Sequence, residues 1–143
     1  MELASLRLSN TRTRPRKQPT PTREREDRLR AGRAAAQTLR SVSPTATLVN
    51  VQLRFISAAT PAHAAQSFVL YPPAKAYFAY PCPYGDCDGI YNLDAAANRA
   101  MAGEKSRITG TLECDGVRSH NGPSRERCGL QLKYTITAQH ESQ

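Results

Sequence analysis

Four cysteines arranged in two pairs constrain this chain more than any other feature. Cys82 and Cys87 bracket a proline, a tyrosine, a glycine and an aspartate in the run CPYGDCDG, while Cys114 and Cys128 bracket the longer run 115–127, DGVRSHNGPSRER. With 143 residues, 39% of them hydrophobic, 6% aromatic and no tryptophan, the chain has material for one modest core. Small cores of this kind are commonly stapled by a metal ion or by disulfides. Where the cysteines fall in the local pattern decides how such a staple is built.

Reading outward from the cysteines, Val49, Val51, Leu53 and Phe55 alternate with Asn50, Gln52 and Arg54, as a half-buried strand requires. The stretch 57–66, SAATPAHAAQ, reads as a connection, followed by a short strand at 67–71 that Pro72 and Pro73 end. An apolar, aromatic-rich run over 75–80 leads into Cys82, and 89–93 reads as its hairpin partner. Residues 94–103, DAAANRAMAG, predict a short helix, with Asp94 capping its first amide and Gly103 providing the left-handed stop. Ile108, Gly110, Leu112 and Cys114 then alternate with polar neighbours, and Leu130, Leu132, Tyr134 and Ile136 face inward on the last strand. No repeat of solenoid length is present. The expected class is α+β: a small, mainly antiparallel β domain over 45–143, with one short inserted helix.

Charge sets the N-terminal part aside. Residues 1–41 hold 11 of the 20 Lys and Arg and 4 of the 12 Asp and Glu, a net of +7 out of the chain's +8. Any polyanion is therefore expected at this extension. The run 10–22, NTRTRPRKQPTPT, clusters prolines and cations with almost nothing apolar and is expected to be disordered. Arg12, Arg14, Arg16, Lys17 and Arg23 are the candidate nucleic-acid contacts, because flexible cations displace counterions from phosphates. A helix is expected over 22–40, with Glu24, Glu26 and Asp27 in its first turns. Its stripe of Leu29, Ala36 and Leu39, interrupted by Gly32, is thin enough that the helix should pack weakly or stay solvated.

The first 23 residues, rich in Arg, Ser and Thr with Glu2 as their single acid, fit an organelle transit peptide as well as a basic tail. No stretch has the length of a transmembrane span, and the N-terminus lacks a secretory h-region. A soluble, cytoplasmic protein without a membrane partner is expected. In that compartment paired cysteines more often hold metal than form disulfides.

Each cysteine pair falls between strand-like segments, so each can sit at a hairpin tip. Gly89 and Gly129 near the second member of each pair suit the tight, positive-φ turn of a metal knuckle. Two facing tips would present four sulfurs, enough for one tetrahedral Zn²⁺. Two disulfides, unlinked buried or redox thiols, and a tetrathiolate iron site satisfy the same spacing. His120 and, less so, His63 are further donors, although a loop histidine is ordinarily solvated. Asp86 and Asp88 serve turn geometry or support the ligands. Tyr71, Tyr77, Phe78, Tyr80, Tyr84 and Tyr91 gather about the first hairpin as core and flanks, with Tyr84 the one most exposed to a partner.

Over residues 75–138 this pattern resembles the zinc-ribbon group of rubredoxin-like, four-cysteine domains. The resemblance implies that Cys82, Cys87, Cys114 and Cys128 are each a zinc ligand. The first knuckle is wider than the usual ribbon knuckle, and a helix is inserted between the halves. Ribbons serve transcription, translation, nucleic-acid enzymes and protein docking alike, so the group does not select a role. A phosphate-cradling glycine loop, a nucleophile elbow and a three-ligand zinc site are all missing from the pattern, so no enzyme and no small-molecule substrate is expected. The expectation is a structural-zinc module that binds nucleic acid through its basic extension. A protein-interaction adaptor and a metal-free disulfide or thiol redox protein are the alternatives.

Overall fold

The alternating segment around Val51 is the central strand of the molecule. In the computed structural model, which describes residues 21–56, 63–121 and 124–141, β1 (Ala46–Ile56) lies between β2 (His63–Leu70) and β8 (Gln131–His140). Beyond β8 lies β5 (Arg107–Glu113), which gives the four-stranded order β2-β1-β8-β5 with every pairing antiparallel. The register aligns the apolar sets into rows across the sheet. Phe68, Val51, Ile136 and Ile108 form one row, and Phe55, Leu132 and Leu112 form another. Val49, Val51, Leu53, Phe55, Leu132 and Ile136 are all buried, while Gln52, Arg54 and Lys133 on the other face are exposed. Truncation of Leu132 or Ile136 to Ala would cost roughly 2–5 kcal/mol.

One row contains a glycine for a packing reason. Gly110 stands beside Tyr134 in the register, and a Cβ there would run into the Tyr134 ring. Tyr134 is half-buried over that gap, so the inward-facing alternation holds but is not fully closed.

A second layer covers the apolar face. The hairpin of β3 (Ala79–Pro81) and β4 (Ile90–Asn92) pairs Tyr80 with Tyr91, and α3 (Asp94–Met101) follows directly. Tyr91 packs on Phe55 with ring centroids 5.6 Å apart. Leu93, Ala97, Ala100 and Met101 turn the helix's buried face to the sheet. Burial pushes the Tyr91 hydroxyl up from its usual range, and its proton goes to the Leu130 carbonyl oxygen at 2.7 Å. Gly103 takes φ +82°, the expected left-handed stop. Asp94 has a different task from capping: its Oδ1 accepts from the Phe78 amide at 3.1 Å, while Asn92 Oδ1 accepts from the Asp94 amide at 2.9 Å.

The N-terminal helix departs most from expectation. α1 runs Pro21–Ala35, and residues 36–40 do not continue it. The Lys75 ammonium donates to the carbonyl oxygens of Ala34 (3.3 Å) and Ala36 (2.8 Å), satisfying acceptors that a helix end leaves open. Next, the Ala76 amide donates to Gln37 O and the Leu39 amide to Ala74 O, both at 2.7 Å. These long-range bonds override the local helical preference over 36–38, and a short α2 (Leu39–Val42), capped by Thr38, follows with Leu39 fully buried. Nor does α1 stand in solvent. Leu29 and Arg25 are buried, and Gly32 lies so close to Tyr77 that a Cβ would strike its ring.

Three other boundaries shift. β2 begins at His63 and so takes in part of the expected connection. The expected run over 75–80 is regular only from Ala79, apart from an isolated bridge between Thr38 and Lys75. The stretch 115–127 folds into its own hairpin, β6 (Val117–Asn121) with β7 (Ser124–Arg127). The expected disordered run lies almost wholly outside the described residues, as do Arg12, Arg14, Arg16 and Lys17. Among the described residues no helix is long and apolar enough to cross a membrane.

Candidate metal centre

Two strand ends bring the cysteines together. Cys82 follows β3 and its amide donates to Gly89 O at 3.0 Å, closing the turn that contains Cys87. Cys114 follows β5 and Cys128 shortly precedes β8. There the Cys114 amide donates to Leu130 O (2.9 Å) and the Gly129 amide to Cys114 O (3.2 Å). Gly129 takes φ +67°, as expected of a knuckle glycine. The β6–β7 hairpin folds back over the first turn, through the Asp88 amide on Val117 O and the Ser119 amide on Asp86 O.

All four sulfurs lie within 4.8 Å of one another. Two close approaches cross between the halves, Cys82 to Cys128 at 3.7 Å and Cys87 to Cys114 at 3.6 Å. A tetrahedral site with metal–sulfur bonds of about 2.3 Å has sulfur–sulfur edges of about 3.8 Å. The cross-half distances match that edge, and they are far beyond a disulfide bond of about 2.05 Å. All four cysteines are free, with Cys82, Cys87 and Cys114 buried and Cys128 half-buried. The four are arranged to bind a metal ion.

The local chemistry suits thiolate donors. The Gly89 amide donates to Cys87 Sγ at 3.3 Å, and the Gly116 amide donates to Cys114 Sγ at 3.4 Å. Each half thus carries the same tripeptide, Cys87-Asp88-Gly89 and Cys114-Asp115-Gly116, with the same amide-to-sulfur bond. Both glycines are required by crowding, not by φ, which among the described residues is positive only at Gly103 and Gly129. A Cβ on Gly89 would meet Cys114 Sγ, and one on Gly116 would meet the backbone of Gly89. Burial pushes the thiols of Cys82 and Cys87 above their usual value and that of Cys114 up to about 12. Without a metal these thiols hold their protons, so a metal must displace them.

A cation from α1 completes the surroundings. Arg25, 6% exposed, donates through Nη1 to the carbonyl oxygens of Cys82 (3.1 Å) and Cys87 (2.6 Å). Its Nη2 pairs with Glu26 at 3.1 Å. Burying a charge is costly unless it is paired and hydrogen-bonded, and here both conditions are met. Four thiolates around a divalent ion carry net negative charge, which the guanidinium partly offsets. Arg118 braces the same turn from the other side, donating to Asp86 Oδ1 at 3.1 Å and lying 3.9 Å over the Tyr84 ring. Asp88 Oδ1 accepts from the Val117 amide at 2.8 Å. Both aspartates therefore support the turn. Tyr84 is half-buried beneath Arg118, while Phe78, Tyr80 and Tyr91 are core and Tyr71 is the most exposed of the group.

Sequence reasoning singled out the four sulfurs and missed Arg25, Arg118 and Gly116. The repeated Cys-Asp-Gly tripeptide was a signal for Gly116. An arginine among the charged residues of α1 offered none. The side chains of His120 and His63 lie outside the described part of the structure, and Arg23 is exposed on α1. No protein family, characterised protein or solved structure matches the chain significantly.

Proposed function

We propose that the protein is a zinc-stabilised binding module that engages nucleic acid through its basic N-terminal segment. The observation that carries the metal half is the cluster of four sulfurs within 4.8 Å of one another, two of whose cross-half distances match a tetrahedral edge. Four soft thiolates suit Zn²⁺, and a shell closed by four protein ligands holds structure without activating water, which supports a non-enzymatic role. Four free thiols persist in a reducing compartment such as the cytoplasm. Native and denaturing mass spectrometry, with and without chelator, tests the metal directly. One zinc per chain, lost on denaturation, is expected. A metal-free chain with two oxidised cysteine pairs overturns the reading, and a visible thiolate-to-iron absorption band would replace zinc by iron.

The nucleic-acid half rests on charge. Residues 1–20 carry a net of +4 and residues 21–41 a net of +3. Because α1 packs against the metal centre, the test is best made by substitution in the full chain, with Arg12, Arg14, Arg16 and Lys17 each replaced by Gln. Binding to duplex DNA should weaken across all sequences, and the slope of log affinity against log salt should fall by about 0.9 for every phosphate that is no longer neutralised. Unchanged affinity and slope would remove the segment from any nucleic-acid interface.

A further inference from the structure

The strongest unassigned surface is the β2 edge of the main sheet. β2 ends the order β2-β1-β8-β5 and, among the described residues, pairs only with β1. Native edge strands are ordinarily blunted by prolines, charges or bulges. The sequence of β2, HAAQSFVL, has no proline and no Lys, Arg, Asp or Glu, and its pairing with β1 runs without a register shift. Apolar exposure concentrates at the same place. Among the described residues the exposed large hydrophobic side chains are Val42, Phe68 (36%), Val69 (47%) and Tyr71 (57%), three of them at the C-terminal end of β2 or just past it.

A groove of about 720 Å³ runs beside this edge, between β2 and α1. Leu29, Phe68, Leu70 and Tyr80 give it an apolar floor, where Phe68 stacks on Tyr80 with centroids 4.9 Å apart. Its rim is cationic. Arg30, Arg33 and Lys75 line it against one acid, Glu26, whose carboxylate is already held by Arg25. Arg30 pairs with Asp27, whereas Arg33 lies over Tyr77 and Lys75 caps the end of α1, so neither of the last two forms an ion pair among the described residues.

We propose that this edge takes up an extended acidic segment of another protein, added to β2 as a further strand. Alternate apolar side chains of the segment would fill the groove, and acids at its ends, beyond the apolar positions, would face Arg33 and Lys75. In strand addition the main chain supplies affinity and the alternate pockets supply selectivity. Charge argues against the other occupants. An antiparallel β2–β2 dimer would place both grooves on one side of the joined sheet, with the two cationic rims turned toward each other. The protein's own residues 1–20, at a net of +4, meet the same repulsion.

The test uses the full, reduced chain and three labelled peptides: an alternating Val-Thr peptide flanked by Glu at both ends, the same peptide flanked by Lys, and the Glu-flanked composition with its Val and Thr residues in two blocks. By fluorescence anisotropy the alternating acidic peptide should bind about tenfold more tightly than either control, the loss expected when one central interface anchor is wasted. Hydrogen exchange on the unmodified protein should slow at β2 when that peptide is added. Val69→Glu, a change on an exposed side chain, and Arg33→Glu should each weaken binding while leaving the exchange of β1 and β8 unchanged. Equal binding of all three peptides, protection elsewhere than β2, a concentration-dependent dimer that protects β2, or binding that appears only when residues 1–20 are removed would each overturn the proposal. These readouts are independent of nucleic acid and of the metal's identity, so they fail or succeed apart from the proposed function.

Discussion

Arg25 links a helix to a metal site through two carbonyl oxygens, and replacing it tests how far the surroundings of the sulfurs matter. Arg25→Gln loses the charge and cannot reach both Cys82 O and Cys87 O in the same way, so acceptors are left open at a cost of about 1–3 kcal/mol. Groups that orient metal ligands typically change affinity by about 10- to 100-fold when removed. A loss in that range is expected in a chelator competition, with metal stoichiometry unchanged. A second contrast lies among the glycines. Gly89→Ala and Gly116→Ala place a methyl group against Cys114 Sγ and the backbone of Gly89, whereas Gly85→Ala meets open space in the same turn. The first two should lower both thermal stability and metal retention, and the third should change neither; differential scanning fluorimetry with zinc analysis distinguishes them. The difference between these glycines could not be read locally, because Gly85 and Gly89 sit in one short run and differ only in what the other half of the molecule brings against them.

At the level of elements, what could be read from sequence divides by the range of the interaction. The strands around Val51 and Leu132 were legible because period-two alternation is produced by burial on one face, which the chain itself encodes. The end of α1 was not, since the Lys75 side chain and the amides of Leu39 and Ala76 come from, or pair with, a segment far along the chain. The β6–β7 hairpin was missed for another reason: VRSHN and SRER have no apolar alternation, and the hairpin is held by backbone bonds to the cysteine turn and by Arg118 on Asp86. These elements depend on the cluster more than the main sheet does. Structural zinc contributes on the order of 10 kcal/mol, comparable to the whole net stability of a small domain. Chelation under reducing conditions should therefore expose the amides of Gly89, Gly116 and Cys128 and the β6–β7 and α1 segments to rapid hydrogen exchange, while the amides of β1 and β8 keep much of their protection. Uniform loss across the chain would mean that the sheet has no stability apart from the metal.

For the whole molecule, the buried thiols make stability depend on pH in two opposite ways. In the metal-free, reduced chain the folded thiols of Cys82, Cys87 and Cys114 ionise above their usual 9.0, with Cys114 near 12. Their protonated state is preferred by the fold, so that contribution is fully present below pH 9.0 and is lost as pH rises through about 12. Metal retention runs the other way. Thiols that give up protons on binding make the apparent affinity fall about tenfold per pH unit for each proton released. Urea melts of the metal-free chain should weaken on the alkaline side, and release of the metal to a colorimetric chelator should grow on the acid side; parallel trends would contradict the burial of these groups. The sheet order has a consequence for biosynthesis. β1 finds β2 almost at once, but its other neighbour is the last strand of the fold, paired from Ala46 with His140 to Ile56 with Gln131. At about 5–20 residues per second, a ribosome leaves that inner edge open for several seconds before β8 arrives, and strand edges exposed in this way invite aggregation. The state of this protein most in need of a chaperone is its own nascent chain.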